Sequence, residues 1–252
     1  MIRDFFNGKN DLLTVILQCA TPEKAIGRIR NANCLGADAY GLQVECLEQT
    51  YQNSETFQRI FQEGKDRPFY VTNYRKRHNS GKSDDELAEG LVTLAKSGAT
   101  LCDVMGDLFC PHPEEMTEDE EAIKKQMALI DRIHGQGAQV LMSSHILKFI
   151  PAERVLQVAF EQKRRGADVI KIVTGAKNME QQLENLRITQ LLKKELDAPF
   201  LFLSGGVCSL HRRLGLKLGC SMALCVYEHD AYSTANQPLL STMKTIRDNI
   251  DF

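Results

Sequence analysis

Arg165-Gly166-Ala167-Asp168-Val169-Ile170-Lys171-Ile172-Val173-Thr174 reads as a helix end, a glycine stop and an apolar, β-branched strand in one unbroken stretch. The same junction, glycine then alanine then an apolar run, occurs at LGADAY (35–40), SGATLC (97–102) and QGAQVL (136–141). Glycine just past a helix supplies the left-handed backbone that ends it, and the run that follows suits a strand buried on both faces. Outward from these junctions, apolar runs stand at 13–19, 39–45, 69–74, 100–106, 139–145, 168–174, 199–204 and 221–227. Between them lie helical periodicities with start signals at Thr21-Pro22-Glu23, Ser54-Glu55, Ser83-Asp84-Asp85, Thr117-Glu118-Asp119, Pro151-Ala152-Glu153 and Pro238. Gly36, Gly98, Gly137, Gly166 and Gly219 supply the stops. Repeated strand–helix units without a linker predict an α/β fold, a single (β/α)8 barrel over 1–252. A doubly wound open sheet would carry a glycine-rich fingerprint after its first strand, and ILQCATPEKA (16–25) has none.

Composition narrows the function classes. The chain has 252 residues, 43% hydrophobic and 25% charged, with a formal net charge of -2. That balance gives no field for gripping a phosphate backbone, so no nucleic-acid partner is expected. No apolar run approaches the ~18 residues that cross a bilayer, so no membrane partner is expected either. MIRDFFNGKNDLL at the start carries two acids and no long apolar run, unlike a signal peptide, and the expected location is the cytoplasm. The 8 cysteines include no CxxC pair. Cys19, Cys46, Cys102 and Cys225 fall in apolar runs, where cysteine behaves as a small hydrophobe. Neither a disulfide framework nor a metal site is expected, and Cys110-Pro111-His112-Pro113 reads as a loop. No cofactor is expected.

Barrel chemistry sits at the C-terminal ends of the strands. Lys171, between aliphatic neighbours in a strand, cannot easily reach water. Burial disfavours its charged form and would leave a neutral amine able to attack a carbonyl; the alternative is a salt-bridged structural lysine. On the preceding strand Leu141, Ser143 and His145 share a face, which presents His145 at the mouth beside Lys171. Imine chemistry needs a proton shuttle of near-neutral pKa, so the pair says more than either residue alone. Ser204-Gly205-Gly206-Val207 and then Ser209, Arg212 and Arg213 offer backbone N–H groups and a guanidinium to an anion, or simply a solvated helix start. The loop from Ser233 to Pro238 offers hydroxyl and amide groups.

These residues resemble type I 3-dehydroquinate dehydratase over essentially the whole chain. The family's Met-Ser-x-His strand matches Met142 to His145, and its Gly-Ala-Asp followed by Lys-Ile matches Gly166 to Asp168 and Lys171-Ile172. Its late arginine falls on Arg212, its Ser-x-x-x-Gln loop on Ser233 and Gln237, and the arginine closing its third strand on Arg75. The resemblance implies a carbon–oxygen lyase in the shikimate route to aromatic amino acids. Lys171 would form an imine with a ring ketone, and His145 would serve as general acid and base. Arg212 would hold the carboxylate, with Arg75, Ser233 and Gln237 addressing further oxygens. The implied partner is a small-molecule carboxylate; the assembly is left open between a monomer and a homodimer.

The departures bear on substrate. Where the family has Glu-Leu-Arg-Leu-Asp, this chain has Gly41-Leu42-Gln43-Val44-Glu45. Where it has Asp-x-Glu, whose glutamate orients the histidine, this chain has Asp103-Val104-Met105. Asp107, on the face of Asp103 and Met105, is expected to stand in as partner of His145, and Gln43 and Asp107 complete the expected site. Ser80-Gly81 and Ala235-Asn236 replace the family's Gly-Gly and Pro-Gly. With Gly41, Gln43 and Met105, a roomier and less charged floor is expected, and with it an altered substrate. Two other readings stand beside this one. A class I aldolase acting on a sugar phosphate fits Ile170–Gly175 and Leu203–Val207, and a non-catalytic barrel that only binds fits the missing carboxylates.

Overall fold

The computed structural model describes residues 2–206 and 210–251. Val207, Cys208 and Ser209, part of the glycine-rich turn singled out above, lie outside the described residues. The first four units are β1 (Leu12–Leu17) with α1 (Pro22–Cys34), β2 (Ala39–Gln43) with α2 (Ser54–Glu63), β3 (Phe69–Thr72) with α3 (Asp84–Ser97), and β4 (Leu101–Met105) with α4 (Glu120–His134). The last four are β5 (Gln139–His145) with α5 (Ala152–Arg164), β6 (Val169–Ala176) with α6 (Met179–Glu195), β7 (Phe200–Gly206) with α7 (Leu210–Leu218), and β8 (Met222–Cys225) with α8 (Leu240–Asn249). All strand pairs are parallel, in the order β7-β6-β5-β4-β3-β2-β1-β8. At the remaining seam, Ser221 N donates to the Phe200 carbonyl at 2.8 Å and Phe200 N donates to Ser221 Oγ at 3.2 Å. The sheet thus curls into a nearly closed (β/α)8 barrel, as the junctions predict.

Local chemistry explains the element ends. The Thr21 hydroxyl accepts from Lys24 N with Pro22 in the first turn, and Ser83 with Glu86 forms a reciprocal capping box on α3. Asn53 and Asp119, rather than Ser54 and Thr117, cap α2 and α4, because their side-chain oxygens reach Thr56 N and Ala122 N. All five glycines read as stops take positive φ. No helix among the described residues is long and apolar enough to cross a membrane.

Helices cover the outside of the barrel and side chains fill it, so β6 is buried at every position, Lys171 included. The floor differs from expectation at Gly41. A Cβ there would stand 2.4 Å from Ile16 Cδ1 and 3.0 Å from Tyr70 Cδ1. Gly41 therefore does not open the floor: the space is already filled by Ile16 and by the ring of Tyr70, its partner in register.

Candidate active site

Lys171 lies between Ser143 of β5 and Leu201 of β7 in register, and only 4% of it is exposed. Its Nζ is 3.0 Å from Asp103 Oδ2, 2.9 Å from the Tyr70 hydroxyl oxygen and 2.8 Å from that of Tyr74. Both tyrosine hydroxyls donate to Asp103 Oδ2, which leaves their oxygens to accept from Nζ. Ser143 Oγ donates to Asp103 Oδ1. An ammonium has three donors and no lone pair, and here each donor meets an acceptor. Lys171 thus sits in a buried, fully hydrogen-bonded pairing with Asp103, the arrangement of the salt-bridged alternative. Burial alone would raise the Asp103 carboxyl, but the Lys171 charge and three hydroxyl donors hold it below its ordinary value. Burial, and then the Asp103 charge, push Tyr70 and Tyr74 well above the usual phenol range, so both remain O–H donors. Behind the strand the Gln162 amide braces Lys171, accepting from its N at 3.1 Å and donating to its carbonyl at 3.2 Å.

His145 closes β5. Its Nδ1 is 2.6 Å from Glu115 Oε2, and the same oxygen accepts the His145 backbone N–H at 2.9 Å. An ionised carboxylate only accepts, so this contact assigns the imidazole proton to Nδ1 and leaves Nε2 with its lone pair. Burial, followed by the Lys171 charge, holds His145 below its ordinary pKa against the opposing pull of Glu115. Burial would raise the Glu115 carboxyl, yet its bonds with His145 and the Lys171 charge keep it low. The partner expected for His145, Asp107, is engaged elsewhere: it accepts from Arg75 Nη1 at 2.8 Å and from His112 N at 2.9 Å.

Three residues of this centre, Glu115, Tyr70 and Tyr74, have no counterpart in the sequence reading. Glu115 sits in the loop between β4 and α4 with φ 46, where no periodicity reports a direction. The available signal was its place in the loop that precedes the His145 strand in barrel order. Tyr74 follows β3, and alternation puts Tyr70, Thr72 and Tyr74 on one face. Its ring meets the His145 ring edge-on, centroids 5.4 Å apart at 79°, while its hydroxyl reaches Lys171. Tyr74, Met105, Glu115 and His145, with Arg75, Lys76 and Leu147 at the rim, line a cavity of about 320 Å3.

The other expected residues are placed as follows. Arg75 donates Nε and Nη2 to Asp84 at 2.6 and 2.7 Å, and its other contacts go to Asp107, so two carboxylates already hold its guanidinium. Arg212, in the first turn of α7, donates Nε to the Ser204 carbonyl of β7 at 3.1 Å. Burial lowers it to about 10, and among the described residues no carboxylate pairs with it. Gln43 Oε1 accepts from Gln18 Nε2 at 2.8 Å, and the Gln18 amide also meets Thr234 Oγ1 and Thr234 N, tying β1 and β2 to the loop after β8. Ser233 bonds within that loop to Asp230, whose carboxylate is clamped by Lys24 at 2.8 Å and Arg28 at 2.6 Å. Gln237 is 5% exposed, and among the described residues its buried Oε1 meets no donor. Lys171 and His145 are thus brought together through Tyr74. Among the described residues no hydrogen bond or ion pair joins Arg212, Ser233 or Gln237 to them.

Comparison with known proteins gives the family and the fold. The model of the type I 3-dehydroquinase family matches residues 13–250. The 3-dehydroquinate dehydratase of Geobacillus kaustophilus HTA426 superposes with a TM-score of 0.78 at 15% identity, over 94% of this chain and 90% of its own. That of Enterococcus faecalis gives 0.78 at 16% identity, over 98% and 97%. The type I enzyme of Clostridium difficile, solved with covalently modified comenic acid, gives 0.78 at 16% identity, over 96% and 93%. No curated protein sequence matches the chain.

Proposed function

Because the chain belongs to the type I 3-dehydroquinase family, we propose that it is a Schiff-base dehydratase acting on a cyclic β-hydroxy ketone carboxylate. The observation that carries this reading is the pairing of a buried lysine with an oriented imidazole whose Nε2 is open, joined through one cavity-lining residue. In this reading Lys171 Nζ attacks the ketone and the oxygen leaves as water, giving an iminium. The iminium draws electrons from the neighbouring carbon, so His145 Nε2 can take its proton. The C–H pair becomes the new C=C bond, the β C–O bond breaks, and the leaving hydroxide departs as water with a proton from His145. Hydrolysis then frees Lys171. Arg212, half-buried and without a carboxylate partner among the described residues, is the group suited to the substrate carboxylate. Gln43, Ser233 and Gln237 would address hydroxyls, while Arg75 and Asp107 would shape the rim as a fixed pair. A cytoplasmic, shikimate-pathway role goes with this reading.

The occupied cage around Lys171 favours a second reading, a barrel that binds a carboxylate without turning it over. Incubation with 3-dehydroquinate and detection of the conjugated product by ultraviolet absorbance separates the two. The dehydratase reading expects product from the unaltered protein and none from Lys171→Ala. A covalent adduct without product would move the reading to a different β-hydroxy ketone; neither adduct nor product from the folded protein would favour the binding barrel.

A further inference from the structure

We infer that Tyr74 is the proton-transfer group of imine formation, with His145 reserved for elimination; this rests on the Schiff-base reading above. Among the described residues three groups bond Lys171 Nζ: Asp103, Tyr70 and Tyr74. Asp103 and Tyr70 are each 1% exposed and lie beneath the cavity, whereas Tyr74 lines it. His145 makes no hydrogen bond to Nζ, and its Nδ1 is committed to Glu115. Of the groups bonded to Lys171 Nζ, Tyr74 is therefore the one that a carbonyl entering the cavity meets.

The step balances through that hydroxyl. An ammonium proton of Lys171 passes to the Tyr74 oxygen, the Tyr74 proton passes to the carbonyl oxygen, and the freed nitrogen lone pair forms the C–N bond as the C=O π bond breaks. Tyr74 is regenerated, and the product is a carbinolamine with a positive nitrogen. In the next step a second N–H proton follows the same path to the new hydroxyl; the C–O bond breaks, water leaves and the C=N bond forms. Throughout, Asp103 keeps Lys171, Tyr70 and Ser143 as donors. A carboxylate so well supplied with donors is a poor base but a good counter-ion, and it faces the nitrogen that carries the iminium charge. Tyr74 is thus a catalytic residue, in hydrogen-bond contact with a reacting atom. The arrangement also explains how a fully bonded ammonium becomes a nucleophile: it is deprotonated only when a carbonyl is there to receive the proton.

The test is the rate of borohydride-trappable adduct formation with 3-dehydroquinate, followed by mass spectrometry of the intact chain. Tyr74→Phe keeps the ring against His145 and is expected to slow trapping by ~100-fold, the usual scale of a lost proton-transfer group. Tyr70→Phe removes an equivalent bond to Lys171 outside the cavity and is expected to slow trapping far less than Tyr74→Phe does. His145→Ala is expected to trap adduct yet form no product. Trapping by Tyr74→Phe at the unaltered rate, an equal loss in Tyr70→Phe, or no trapping in His145→Ala would each overturn the assignment. No adduct in the unaltered protein would overturn the Schiff-base reading itself, and this role with it. Should Tyr74→Phe fold poorly, the unaltered protein decides: trapping slowed in D2O supports the relay, and trapping unslowed contradicts it.

Discussion

Glu115 fixes which nitrogen of His145 can act as a base. A lowered histidine pKa means that Nε2 stays unprotonated further into acid, and base activity is lost only as pH falls through that lowered value. The acid limb of the pH–rate profile should therefore lie below pH ~6.5, the ordinary histidine value. Glu115→Gln removes the anion that favours the imidazolium, so the limb should move further down while kcat falls by ~100-fold. A limb that moves up would contradict the pairing. Asp103 is open to a different measurement. Its carboxyl is held low in the folded state, so its stabilising effect is full above the unfolded value of ~3.9 and is lost as pH falls through the folded value. Asp103→Asn at neutral pH leaves Lys171 buried without its counter-ion and should cost ~3–5 kcal/mol in urea unfolding. A loss under ~1 kcal/mol would show that the pair is not held as described. The residues legible in the sequence were those on strands. Alternation over a buried strand gives each side chain a face, which identified Lys171 and His145 and drew attention to Asp103. Glu115 and Tyr74 lie beyond strand ends, where backbone direction depends on tertiary contacts. Gly41 misled because a missing side chain says nothing of what fills its place, and here Ile16 and Tyr70 do.

The loop between β4 and α4 holds Glu115 in position by close backbone packing. A Cβ on Gly106 would lie 2.6 Å from the Glu115 carbonyl oxygen and 2.7 Å from Met116 Sδ. Thr117 N donates to the Gly106 carbonyl, and Ser144 Oγ donates to that of Glu115. Gly106→Ala must therefore push this segment outward without touching either catalytic side chain. A displacement of about 1 Å is enough to cost ~100-fold in kcat. Activity unchanged in Gly106→Ala would mean that the loop does not position Glu115. The elements themselves were legible because a glycine stop and a polar cap each have a local cause. Helix starts moved by a residue or two where Asn53 or Asp119 offered the better acceptor.

Across the whole molecule the formal net charge is -2, so no strong field draws an anionic substrate in or turns it away. Recognition falls to a few placed groups, among them Arg212, which no described carboxylate neutralises. kcat/KM should therefore change by less than ~3-fold between low and physiological ionic strength; a steep decline would reveal steering by a surface patch. The closed barrel sets how far such groups can lie from one another, since each is carried at the end of a strand or on the loop or helix that follows it. In the proposed reaction Lys171, although paired with Asp103 at rest, becomes bonded to the substrate carbon. Borohydride reduction of the intact protein in the presence of 3-dehydroquinate, followed by peptide mapping, measures this directly. A stable adduct is expected on the peptide containing Lys171, absent from Lys171→Ala. Product formed with no adduct there, or an adduct on another lysine, would contradict it.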